Sequence, residues 1–175
     1  MPAAFRTVLG EAFATLAPAV QRLHASTGTA VWSGCVVVRR GSGLLAGCCA
    51  WMAGLPPGMG ESPLRVQLRC SKGVETWQRH FAGHAMHSQL RAVDGVLVEA
   101  LGPLRFVFRL DALDGAIHWT VRSVRLFGVL PLPASWFAGV CCREYQRDGR
   151  YAFQVQAALP LLGEVIAYEG WLEPT

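Results

Sequence analysis

The segment Glu75-Thr76-Trp77-Gln78-Arg79-His80-Phe81 concentrates side chains that could do chemistry. Side chains on a strand alternate between faces, so Glu75, Trp77, Arg79 and Phe81 share one face. If the aromatics pack inward, a carboxylate and a guanidinium go with them. The conflict recurs where Glu99 falls in phase with Leu97 and Leu101, and where Glu144 follows Val140 and Cys142. Arg125 likewise falls in phase with Ile117, Trp119, Val121 and Ser123. Buried charges persist only when paired and hydrogen-bonded. The spacing therefore predicts an interior network of Glu75, Arg79, Glu99, Arg125 and Glu144. Arg79 or Arg125 could meet the carboxylate of a guest molecule. Glu75 or Glu99, with a pKa raised by burial, could act as an acid or base. An ion network that only fixes strand register is the plainer alternative.

Other chemistries find little support. Cys48-Cys49 and Cys141-Cys142 are adjacent pairs, and there is no Cys-x-x-Cys. Neighbours on a strand point to opposite faces, so the cysteines read as small core residues rather than metal ligands. His80 and His84 would stand roughly 13 Å apart on a strand, too far to share an ion. His24, at the end of a short helix, reads as a helix C-terminal contact. There is no nucleophile elbow, phosphate loop or dinucleotide fingerprint, and no cofactor is implied.

Strands must position these residues, and the chain supplies them. Phe5, Val8, Leu9, Ala12, Phe13 and Leu16 recur at helical spacing, and Pro18 opens a second short helix ending near His24. From Thr29 to Arg40 the run is β-branched and aromatic. Leu44 to Gly54 is apolar on all sides, which predicts a buried or lid helix. Leu64 to Cys70, Glu75 to Phe81 and His84 to Ala92 then follow as strands, with further ones near 96–101, 103–112, 116–126, 139–147, 150–159 and 163–173. Asp94-Gly95, Asp114-Gly115 and Asp148-Gly149 mark tight hairpins between them. The expectation is one mainly β domain over 1–175, with minor α. Its antiparallel meander of about nine or ten strands curls into a barrel or half-barrel.

Composition narrows the function. Of 175 residues 52% are hydrophobic and 16% charged, with a mean hydropathy of +0.30. Gly41 to Gly60 and Leu126 to Cys142 carry no charged side chain at all. Gly and Pro break both, so no transmembrane segment is expected. The start of the chain lacks a signal peptide's apolar core, which points to the cytoplasm. Arg65, Arg69, Arg105, Arg109 and Arg122 fall on the outer face without aromatics between them, so no nucleic-acid partner is expected. Trp77, Phe81, Phe106, Phe108 and Trp119 would wall a hollow of about 300 Å³ or more. The helix after Leu44 and the loop from Leu130 to Phe137 would gate it.

Glu75-x-Trp77-x-Arg79-x-Phe81, Glu99-x-x-Gly102-Pro103, Pro131-Leu132-Pro133, Asp148-Gly149-Arg150 and Tyr168-x-Gly170-Trp171-Leu172 occur in the order of a known pattern. In these the chain resembles the bacterial domain of unknown function family 4166 over nearly its whole length. Some members resemble this domain joined to saccharopine-dehydrogenase-like or short-chain-dehydrogenase domains. The resemblance implies an accessory module, one that presents a greasy ligand to an oxidoreductase partner, and supplies no catalytic residue. Three readings follow: binding of a small apolar or amphipathic ligand (fatty acyl or isoprenoid-like), an interaction module, or an acid–base enzyme.

Overall fold

The computed structural model describes residues 3–175. Helix α1 (Ala4–Leu9), a 3-10 turn (Gly10–Thr15) and α2 (Pro18–His24) precede β1 (Thr29–Arg40), and α3 (Leu44–Met52) follows it. Strands β2 (Met59–Ser71), β3 (Val74–Phe81), β4 (His84–Val93), β5 (Val96–Leu101), β6 (Leu104–Leu113) and β7 (Ala116–Leu126) run on as a meander. Then come β8 (Leu130–Leu132), a 3-10 turn (Ala134–Phe137), β9 (Gly139–Arg147), β10 (Arg150–Leu159) and β11 (Gly163–Pro174).

Each strand from β1 to β7 pairs antiparallel with the next, β7 pairs with β9, and β11 returns to β1. Ten strands thus close a barrel, and β8 is an extra strand hairpinned onto the end of β7. The expected curled meander is present, and it closes. Asp94-Gly95, Asp114-Gly115 and Asp148-Gly149 all have positive φ at both residues, the conformation of a two-residue hairpin turn.

In an up-and-down barrel, successive connections emerge at alternate ends. One end carries the tight turns Lys72-Gly73, Asp94-Gly95, Asp114-Gly115 and Asp148-Gly149 and is filled by the N-terminal helices. The other carries α3, Ala82-Gly83, Gly102-Pro103, the segment 127–138 and the turn 160–162. We call these the plugged and open ends.

Two local expectations need correction. The helical pattern from Phe5 to Leu16 is broken at Gly10, whose φ of 55° ends α1 and leaves a 3-10 turn that still buries Phe13 and Leu16. Helix α3 is buried only along Ala46 and Ala50, which pack on Val165, while its leucines and Trp51 face out. Small residues let α3 lie flat on the barrel rim, and its uniform apolarity follows from that rather than from immersion.

Candidate functional site

Apolar positions at period two face the lumen, among them Leu64, Val66, Phe81, Met86, Phe106, Phe108, Phe153 and Ile166. Above them lies a hollow of about 170 Å³, roofed by Cys49 of α3, by Ala53 and Leu55 just after that helix and by Phe137. It is smaller than the sequence led us to expect, because ten strands leave a narrow bore and bulky aromatics occupy much of it. Of the residues singled out in the sequence, Trp77, Arg79, Phe81, Glu99, Phe106, Phe108, Trp119 and Glu144 line it. Arg125 does not.

Arg125 fails for a local reason. Val107 pairs with Ser123 and Phe108 with Val121, so Arg122 is an extra residue in β7. Such a bulge inverts the alternation beyond it. Val124 therefore turns into the core, while Arg125 is exposed on the outer wall opposite Arg105.

Glu75 is buried but belongs to the plugged end. One carboxylate oxygen accepts the Ala4 backbone N–H at 2.6 Å and the other the Trp77 indole N–H at 3.3 Å. The charge thus satisfies an orphan donor at the start of α1, and it does not line the hollow. His24 is likewise no simple helix-end contact: its Nε2 pairs with Glu144, in full burial, and its ring packs tilted against Phe5, with centroids 3.7 Å apart. It is four residues after Val20 on the inward face of α2, a spacing that could have revealed its direction. Glu75 and Glu144 thus tie the N-terminal plug to the barrel.

Arg79 and Glu99 form a second, looser group. The guanidinium donates to Ser88 Oγ at 2.9 Å and lies over the Trp77 ring at 4.7 Å, but reaches Glu99 only at 3.9 Å. Arg79 therefore has donor capacity left facing the hollow. Burial raises the Glu99 pKa, against the lowering pull of Arg79 and the Ser88 hydroxyl. Of the two carboxyls considered for acid–base work, only Glu99 faces the hollow. Burial and nearby Glu144 push the Cys142 thiol well above its ordinary range, so it lines the wall as a neutral group. Sequence reasoning missed Ser88, Tyr151, Phe153 and Tyr168, whose phase is clear only once the register is known. The Trp119 indole N–H is buried on this wall without an acceptor among the described residues.

The raised Glu99 pKa has a sign that can be checked. The folded state holds its proton more tightly than the unfolded chain, so the associated stability is complete below the ordinary value of 4.5. It is lost as pH rises toward the folded value. Glu99→Gln is expected to flatten that decline, by up to about 1.4 kcal/mol per pH unit across the window. Urea unfolding of both proteins at a series of pH values from 4 upward reads it directly.

Fold and site together define a closed, ten-stranded antiparallel barrel with one plugged end and an apolar lumen holding an arginine. Residues 16–172 match the family described as Domain of unknown function (DUF4166), and the chain belongs to that family. Among solved structures, that of Rv2717c from M. tuberculosis is similar, with 13% identity and a TM-score of 0.45 over 91% of this chain and 99% of that one. No curated protein matches.

Proposed function

We propose that the barrel binds a small amphipathic ligand whose acidic group meets Arg79 and whose apolar part runs toward the open end. The observation that carries this reading is the Arg79 guanidinium. It faces an apolar hollow with one short hydrogen bond and with Glu99 inclined to hold its proton. The contact with Glu99 is long, at 3.9 Å, which leaves the guanidinium free to take a guest carboxylate in a bidentate, water-excluded contact. The unpaired Trp119 indole offers a second donor.

Size limits the guest. An apolar hollow of about 150 Å³ takes up benzene, so 170 Å³ encloses a head and a few carbons. A fatty acyl or isoprenoid-like tail extends out between α3 and the Ala134–Phe137 turn, where Cys49, Ala53, Leu55 and Phe137 line the way. Delivery of such a ligand to an oxidoreductase partner is compatible with this reading and requires no residue beyond those named.

Native mass spectrometry of the purified protein is expected to show an added hydrophobic mass that solvent extraction removes. Arg79→Leu should weaken rebinding of a fatty acid by about tenfold to a hundredfold, the worth of a charged hydrogen bond. Ala157→Phe, which fills the hollow, should abolish it. Unchanged rebinding in both variants would refute the reading.

A further inference from the structure

The two ends of the barrel differ in chemistry while sharing the same backbone. At the plugged end every tight turn bears a charge: Lys72, Asp94, Asp114 and Asp148, each with φ between 48° and 52°. At the open end Gly102 takes the equivalent position in one turn (φ 53°), but the left-handed positions not held by glycine are Ala82 (φ 43°), Phe127 (φ 52°) and Leu161 (φ 67°). This conformation favours glycine, asparagine and aspartate and is costly for bulky side chains. None of the five connections at the open end contains Asp, Glu, Lys or Arg. Phe127 and Leu161 are placed against local preference, and packing does not explain it: they are 75% and 105% exposed.

The neighbouring tips repeat the pattern. Leu44 is 90% exposed, Trp51 82% and Val129 76%, and Leu45, Met52, Leu130 and Trp136 are also exposed. Together with Phe127 and Leu161 they stand on three separate connections around one rim, so they form a crown of apolar points rather than a groove for a peptide. Behind the crown, the strand ends carry exposed Arg39, Arg105 and Arg125, with Arg40 bonded to the Leu55 and Pro56 carbonyls. Glu61 and Glu164 are the acidic residues at that level, so positive charge is in excess there. Apolar and aromatic tips ahead of a basic collar match the boundary of an anionic bilayer, where rings and aliphatic chains enter below the headgroups and arginines meet phosphates. The barrel does not span the bilayer. Its outer wall carries Arg65, Gln67, Arg69, Gln89, Arg91, Arg109 and Gln154 and its lumen is apolar, the inverse of a spanning barrel.

We propose that the open end is a docking surface for membranes containing anionic lipid, with Trp51, Phe127, Val129 and Leu161 entering the bilayer and Arg39, Arg105 and Arg125 contacting headgroup phosphates. The crown surrounds the opening of the lumen, so docking places the proposed ligand path against the membrane. Docking itself requires no guest in the lumen.

The test is flotation with extruded vesicles, either phosphatidylcholine alone or phosphatidylcholine with an equal amount of phosphatidylglycerol. The wild type is expected to float with the mixed vesicles. Trp51→Asp combined with Phe127→Asp should lower partitioning about a hundredfold, the loss of two buried apolar side chains. Both sites are exposed and aspartate suits the turn, so folding should survive, and circular dichroism checks this. Arg105→Glu with Arg125→Glu should remove the preference for phosphatidylglycerol, and Leu113→Asp at the plugged end should change nothing. Absence of flotation by the wild type would overturn the proposal. So would an equal loss in Leu113→Asp, or a dimer by sedimentation that the double tip variant dissolves while vesicles stay unbound. Ala157→Phe should float as the wild type does. Lost rebinding with retained flotation supports both proposals, while retained flotation with no ligand effect refutes only the binding reading.

Discussion

Glu144→Ala is expected to destabilise the protein by about 3–5 kcal/mol, because it strands His24 in full burial without its partner. Total stabilities of about 5–15 kcal/mol make that a large fraction. The loss should be felt well beyond one residue. His24 ends α2, its ring packs on Phe5, and Phe5 lies 5.4 Å from the Trp119 ring, so the pair ties the plug to the barrel wall. Thermal unfolding is the measurement, and a fall of many degrees is the expected result. Glu144→Gln retains an acceptor for the imidazole N–H and should cost less than half as much. Equal melting temperatures for wild type and Glu144→Ala would show that the plug is held by packing alone.

Gly34→Val is expected to be worse still. A Cβ at Gly34 would sit inside contact distance of the Trp171 carbonyl oxygen, and one at Gly170 would meet the Cys35 carbonyl and the Phe153 ring. The two glycines lie on β1 and β11, the pair that closes the barrel, with Gly34 opposite Leu172 and Gly170 opposite Val36. Glycine in a strand often marks such a close backbone approach. Here the obstacle is main chain, which cannot rotate aside as a side chain can. Overpacking of flexible cores costs about 1–3 kcal/mol, and this backbone clash is expected to exceed it. Insoluble expression, or amide exchange along β1 and β11 at least a hundredfold faster than in the wild type, is the predicted readout. A soluble variant with native exchange would refute the argument.

Much of this architecture can be read from residue order because hairpins are local. Asp-Gly pairs between alternating runs placed the strands from β4 onward to within a few residues, and period two put Trp77, Phe81, Arg79 and Glu99 on the lumen side. What could not be read depends on separation. Glu75 looks like a candidate acid until its acceptor role toward Ala4, 71 residues away, is seen. His24 and Glu144 are 120 residues apart. Arg125 was misplaced by a single extra residue, since a bulge leaves the hydrophobic rhythm intact on both sides and only shifts its phase. Strand β8 escaped notice because Leu130-Pro131-Leu132 is short and proline-bearing, which suits an edge rather than a ladder. The contrast between the two ends requires the parity of the connections, which exists only once the meander is known to close.

The seam between β1 and β11 also governs how the chain matures during synthesis. Residues 29–40 emerge early, yet their second partner comes with residues 163–174. At about 5–20 residues per second the ribosome needs several seconds or more to deliver it. Through that interval β1 has one unpaired edge and the greasy inner face stays uncovered. Nascent chains halted before β11 should therefore associate with holdase chaperones, and release them once the last strand is free to zip shut.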